Sequence, residues 1–100
     1  MITIESQTDK PDLLTGTVEH SEAVECKKVL SEHIQASEDA TLLLDLAGLE
    51  SVSSIALSFL LYGMRAAKLA SCDLHYKNMP PALFNMARVS GIESILIDSN

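Results

Sequence analysis

The feature that most constrains the fold is a short apolar run near the middle of the chain. Residues 41–46 read TLLLDL, and Gly48 and a cluster of serines follow them. A nearly continuous apolar run of this length is typical of a central strand that is covered on both faces. Such a strand needs other strands beside it and helices packed over them. The run therefore predicts an α/β domain built around this strand.

The rest of the sequence supplies neighbours for that strand. Alternating apolar and polar residues predict strands over 1–6 and 72–77. Residues 13–18 follow the first strand at hairpin distance as a second strand, and residues 94–97 are predicted as a last short strand. Apolar residues at helical spacing predict helices over 21–35, with Ser21 as its N-cap, over 54–70, and from Pro80 to a stop at Gly91. The order is β-β-α-β-α-β-α-β, and its crossovers should be right-handed. We expect one domain over residues 1–100, with a mixed, mainly parallel sheet and helices packed against it.

Composition excludes several classes of partner and cofactor. The chain has 14 acidic and 7 basic side chains and a net charge of −7, so it lacks the basic surface that binds nucleic acid. Its apolar runs fall far short of the roughly 20 residues that span a bilayer, and its first residues lack the features of a signal peptide. Cys26, Cys72 and the three scattered histidines form no metal-ligand pattern. We expect a cytoplasmic protein with reduced cysteines, no metal and no cofactor.

The loop after the apolar strand is the most informative segment for function. In open α/β sheets the working surface lies beyond the carboxyl ends of the parallel strands, and here that edge includes residues 49–54. Its three serines, Ser51, Ser53 and Ser54, have a structural explanation as caps of the next helix. A glycine-rich phosphate loop is absent, because Gly48 is the only glycine in this loop and no GKS/T ending follows.

The helix that follows this loop carries two apolar stripes. Leu57, Leu60 and Met64 belong to one stripe, and Phe59 and Tyr62 to a second stripe on nearly the opposite side. One stripe must pack on the sheet, while the other is either covered by flanking helices or exposed. An exposed contiguous apolar surface usually marks a partner site. The predicted partner-binding residues are Ser51, Ser53, Ser54, Ile55, Ser58, Phe59 and Tyr62.

These segments resemble a known family. Residues 14–18 (LTGTV), 43–49 (LLDLAGL) and 52–57 (VSSIAL) are similar to the second strand, third strand and signature loop of the STAS domain, a module shared by sulphate transporters and anti-sigma factor antagonists. The resemblance covers nearly the whole chain. It implies a STAS-type sheet and a function in protein binding rather than catalysis.

The resemblance also suggests two partners. Residues 82–92 (ALFNMARVSGI) are similar to the ending of the small STAS subunit of the transporter that maintains outer-membrane lipid asymmetry. That implies a non-catalytic subunit on the cytoplasmic ATPase of an ABC phospholipid transporter, held at the inner membrane through this partner. The alternative is an anti-sigma factor antagonist that binds an anti-sigma factor kinase and is switched by phosphorylation of Ser54. Ser53 in place of the usual acidic residue favours the transporter subunit.

A hydrolase that uses Ser51, Ser53 or Ser54 as its nucleophile is a third interpretation, from a different functional class. A serine nucleophile needs a general base, and a nucleophile elbow needs glycines on both sides of the serine. The loop has neither a nearby histidine nor such glycines. The sequence therefore favours a binding protein.

Overall fold

The computed structural model describes residues 1–50 and 53–96. Four strands are present in this part of the chain: β1 (Ile2–Gln7), β2 (Lys10–Gly16), β3 (Thr41–Leu49) and β4 (Asp73–Lys77). The helices are α1 (Ala23–Gln35), α2 (Ser54–Leu69), α3 (Pro81–Val89) and the single turn α4 (Glu93–Leu96), with a 3₁₀ turn at His20–Glu22 before α1.

The strands form one sheet in the order β1-β2-β3-β4. The β1–β2 pair is an antiparallel hairpin, whereas β2–β3 and β3–β4 are parallel and are connected through α1 and α2. The expected mixed, mainly parallel sheet with packed helices is confirmed. Two strand boundaries differ from the prediction, since β2 begins at Lys10 and ends at Gly16, and β3 continues to Leu49.

The predicted last strand is wrong. Residues 93–96 form the helical turn α4, and Ile97 lies outside the described residues. Leu96 is 1% exposed and belongs to the core cluster, so burial against α2 and α3 satisfies its apolar side chain without a strand. A short apolar run cannot by its periodicity distinguish a strand from a buried helical turn.

The central strand is buried on one face, and the expectation of two covered faces is also wrong. Leu42, Leu44 and Leu46 are buried, whereas Leu43 and Asp45 between them are partly exposed. The buried residues of β3 belong to the same core cluster as Leu30 of α1 and Leu60 of α2. The helices therefore pack on one side of the sheet.

The start of α1 also differs from the prediction. Ser21 lies within the 3₁₀ turn, and the N-cap position of α1 is Glu22, which makes no side-chain capping hydrogen bond. Farther along this helix, His33 Nε2 lies 2.6 Å from Asp12 Oδ2 on β2. This pair links α1 to β2.

Candidate protein-binding site

Ser53 forms the N-terminal cap of α2. Its backbone is extended (φ −154°, ψ 166°), and its Oγ accepts a hydrogen bond from the backbone N–H of Ala56 at 3.3 Å. Its carbonyl oxygen accepts the first helical bond, from the N–H of Leu57 at 3.1 Å. Because an N-cap side chain satisfies a helical N–H that has no partner inside the helix, the hydroxyl of Ser53 is already used within the fold.

The end of β3 is held by hydrogen bonds from both neighbouring strands. The backbone N–H of Glu50 donates to the carbonyl of Gly16, at the end of β2, at 2.8 Å. Asp45 Oδ1 accepts from the N–H of Ala47 at 2.9 Å and from Asn78 Nδ2, just after β4, at 3.1 Å. The chain therefore leaves β3 from a fixed position at the carboxyl edge of the sheet.

Ser54, Ser58 and Tyr62 form a strip along α2, to which we refer below as the hydroxyl strip. The two serines are exposed and Tyr62 is half-buried. Their spacing of four residues places them one above the other on the same helix face. Ile55, beside the first serine, is half-buried and packs against the core. These four predicted residues lie on the first three turns of α2.

The other predicted residues lie elsewhere. The Phe59 side chain is 1% exposed and belongs to the core, so it is not available to a partner. Ser51 lies outside the described residues. The second apolar stripe of α2 is largely covered because α1 packs alongside it, and only Leu69 at its end is 90% exposed. Of the two alternatives that the sequence left open, coverage by a flanking helix is the one observed for most of this stripe.

Residues of α1 extend the hydroxyl strip sideways. A groove of about 390 Å³ between α1 and α2 is lined by Tyr62 and, from α1, by Val24, Lys27, Lys28 and Ser31 among others. Val24 is 80% exposed, and Lys27 Nζ lies 5.5 Å from the centre of the Tyr62 ring. None of these α1 residues is among the partner-binding residues predicted from the sequence. Val24 is an apolar residue outside the apolar stripe of α1. Its position outside that stripe is the sequence signal that could have indicated this surface.

The described residues offer few groups with perturbed acid–base chemistry. Burial, and then the nearby charge of Asp73, raise the pKa of the Cys72 thiol, which therefore stays protonated near neutral pH. Burial also raises the pKa of Tyr76, whose hydroxyl donates to the carbonyl of Leu60 at 2.7 Å. No cluster of three or more His, Cys, Asp or Glu side chains in residues 1–50 and 53–96 could hold a metal ion. Nor does any helix in these two ranges have the length and apolar character needed to cross a bilayer.

A family model and two solved structures are similar to this chain. A family model described as "Mlab, STAS domain" matches residues 6–98. The chain is similar in structure to the anti-sigma factor antagonist SpoIIAA in its unphosphorylated form, with a TM-score of 0.67 and 16% identity over 100% of this chain and 89% of that one. It is also similar to an anti-sigma-factor antagonist (STAS) domain protein from Planctomyces limnophilus, with a TM-score of 0.70 and 14% identity over 96% and 86% of the two chains. No curated protein sequence matches. At these identities the two structures show a shared fold.

Proposed function

Because the chain belongs to the STAS domain family, we propose that it is a non-catalytic cytoplasmic subunit that binds the ATPase of an ABC phospholipid transporter. STAS domains are generally protein-interaction modules without catalytic activity. The description of the matching family as MlaB-type supports a transporter partner. So does the use of Ser53 as a helix cap in place of the acidic residue of the anti-sigma factor antagonists.

The main structural observation behind this proposal is the hydroxyl strip on α2. The hydroxyls of Ser54 and Ser58 lie on an exposed helix face beside the half-buried ring of Tyr62. Tyrosine is enriched in protein interfaces because its ring contributes apolar area while its hydroxyl can still form a hydrogen bond. The exposed Val24 and the charged Lys28 widen the strip into a mixed apolar and polar surface. Such a surface suits a partner protein better than a small substrate.

The test is co-purification of the full chain with the ABC ATPase of the same organism. We expect wild type to form a stable complex, and Ser58→Arg to weaken it by about tenfold or more, roughly 1.4 kcal/mol, because the new charge must be desolvated in the interface. Val89→Arg is the matched control, since Val89 is 87% exposed on α3, away from the strip. Thermal unfolding of both variants should show an unchanged fold. If Ser58→Arg binds as wild type does, the proposed surface is wrong, and if wild type does not bind, the proposed partner is wrong.

The alternative function is that of an anti-sigma factor antagonist switched by phosphorylation of Ser54. One observation favours it: Ser54 is exposed at the first position of α2, and no acidic side chain lies in that first turn. The positive end of the helix dipole would tolerate a phosphate there, while the added charge of about −2 would repel a docked partner. Incubation with an anti-sigma factor kinase and ATP, followed by mass spectrometry, distinguishes the two functions. Phosphate on wild type, and none on Ser54→Ala, would favour the alternative.

A further inference from the structure

A second groove shares no lining residue with the hydroxyl strip. It measures about 540 Å³ and runs between the C-terminal half of α2, the start of β4 and α4. Its walls are mainly apolar, formed by Leu61, Met64, Ala67, Leu74 and Ile95 among others. Its volume falls within the range of roughly 300–1,000 Å³ typical of small-molecule sites.

Two cations on α2 line this groove. Arg65 and Lys68 are exposed and three residues apart, so their side chains lie next to each other on the helix. Within residues 1–50 and 53–96, neither forms an ion pair. The carboxylate in the lining belongs to Asp73, and its Oδ1 lies 3.0 Å from His75 Nε2 instead. In a chain with 14 acidic and 7 basic side chains, two adjacent cations that form no ion pair within these ranges give the groove a locally positive wall, which is complementary to an anion.

The other residues that line the groove further restrict the kind of ligand that it can bind. Cys72 also lines it, and because burial raises the pKa of this thiol, it presents a neutral, apolar wall rather than a nucleophile. An apolar trough beside two cations is complementary to a molecule with an aliphatic chain and an anionic head. A guanidinium binds a planar carboxylate through two parallel hydrogen bonds, and a nearby ammonium adds a point charge.

We propose that this groove binds a fatty-acid anion, with the aliphatic chain against Leu61, Met64 and Ile95 and the carboxylate between Arg65 and Lys68. The site is separate from the hydroxyl strip, so it does not depend on the proposed function.

The test titrates the ¹⁵N-labelled full chain with sodium decanoate, below its micelle-forming concentration and at neutral pH. We expect saturable shifts of the amide signals of Met64, Lys68 and Leu74, and little change at Val24 and Ser31 in the other groove. Decanol tests the role of the charge and should bind about tenfold more weakly. Octanoate tests the role of the chain and should bind about five- to fifteen-fold more weakly, because it buries two fewer methylenes.

Variants with matched controls localise the site. Combined Arg65→Gln and Lys68→Gln should weaken decanoate binding about tenfold, whereas Lys28→Gln, on α1, should not change it. Ile95→Glu places a carboxylate in the groove at a position that is 51% exposed, and it should abolish binding, whereas Val89→Glu on α3 should not. Decanol binding as tightly as decanoate, or signal shifts located elsewhere, would overturn the proposal. If decanoate fails to bind and Ile95→Glu prevents co-purification with the ATPase, the groove is a contact for the protein partner and the proposal is wrong.

Discussion

Two residues in the left-handed region lie just after the C-terminal ends of α2 and α3. Ser71, after α2, has φ 55°, and Gly91, after α3, has φ 73°. In each case the N–H of the following residue closes the helix: Cys72 donates to the carbonyl of Ala67 at 2.8 Å, and Ile92 to that of Ala87 at 2.9 Å. Both ends are Schellman motifs, in which a glycine avoids the steric cost of a side chain at positive φ.

Exchanging the residue types at these two positions should change stability in opposite directions. Gly91→Ala should lower the free energy of unfolding by about 1 kcal/mol, because an L-residue is strained in this conformation. An added Cβ at Gly91 meets no atom within 4 Å, so the loss would come from the backbone alone. Ser71→Gly should raise stability by up to about 1 kcal/mol. Urea unfolding measures both, and an unchanged midpoint for Gly91→Ala would contradict the motif at α3.

Adjacent serines at the start of α2 should respond differently to substitution. Ser53→Ala should cost about 1 kcal/mol of stability, since the N–H of Ala56 loses its acceptor, and Ser53→Asp should retain the cap. Ser54→Ala is the control, because the exposed Ser54 side chain does not cap the helix. Equal losses for the two alanine variants, measured by urea unfolding, would mean that Ser53 does not act as the cap.

At the level of elements, α2 approaches β4 and α1 closely at Gly63. A Cβ added there would lie 2.3 Å from Tyr76 Oη and 2.8 Å from Leu30 Cδ2. The same tyrosine hydroxyl donates to the carbonyl of Leu60, one turn earlier on α2. Gly63 is therefore required by packing between elements, even though glycine lowers the intrinsic stability of a helix.

Gly63→Ala should therefore destabilise the protein, by about 1–3 kcal/mol, although alanine is the better helix former. Combining it with Tyr76→Phe should recover part of the loss, because the nearest atom is then removed while Leu30 remains. A double-mutant cycle by urea unfolding measures this coupling. Ser58→Ala, at an exposed position of the same helix, should be nearly neutral. Additive losses for Gly63→Ala and Tyr76→Phe would contradict the contact.

For the whole molecule, the buried Tyr76 hydroxyl makes stability depend on pH in alkaline solution. Burial raises its pKa above the ordinary 10.0, so below that pH both folded and unfolded chains keep the proton. Above it, the unfolded chain loses the proton while the folded chain retains it. Stability should then fall by up to about 1.4 kcal/mol per pH unit. In Tyr76→Phe this part of the alkaline loss of stability should be absent. Urea unfolding from about pH 9 to 11 measures it, and an equal fall in the free energy of unfolding with pH for the two proteins would contradict the prediction.

The sequence by itself determined the local elements and their order up to α3. Residues close together in the chain determine the apolar spacing in α1 and α2, the alternation in β4 and the helix start at Ser53–Ser54. Such patterns predict structure because the side-chain period of a helix or strand is a property of its local backbone geometry. The parallel arrangement was also expected, because parallel neighbours need a crossover connection, usually a helix, and α1 and α2 supply such connections. Periodicity thus identified which residues share a face.

What covers each face was decided only by the tertiary structure. Leu43 is partly exposed although the run around it is apolar, Phe59 is buried beside α1 although its stripe could have been open, and Leu96 is buried in a helical turn. Val24 and Tyr62 line one groove, and Arg65 and Ile95 line the other, although the residues of each pair are more than 25 positions apart in the sequence. The burial of a side chain depends on contacts with residues that are distant in the sequence. A pattern of residues that are close in the sequence does not identify those contacts.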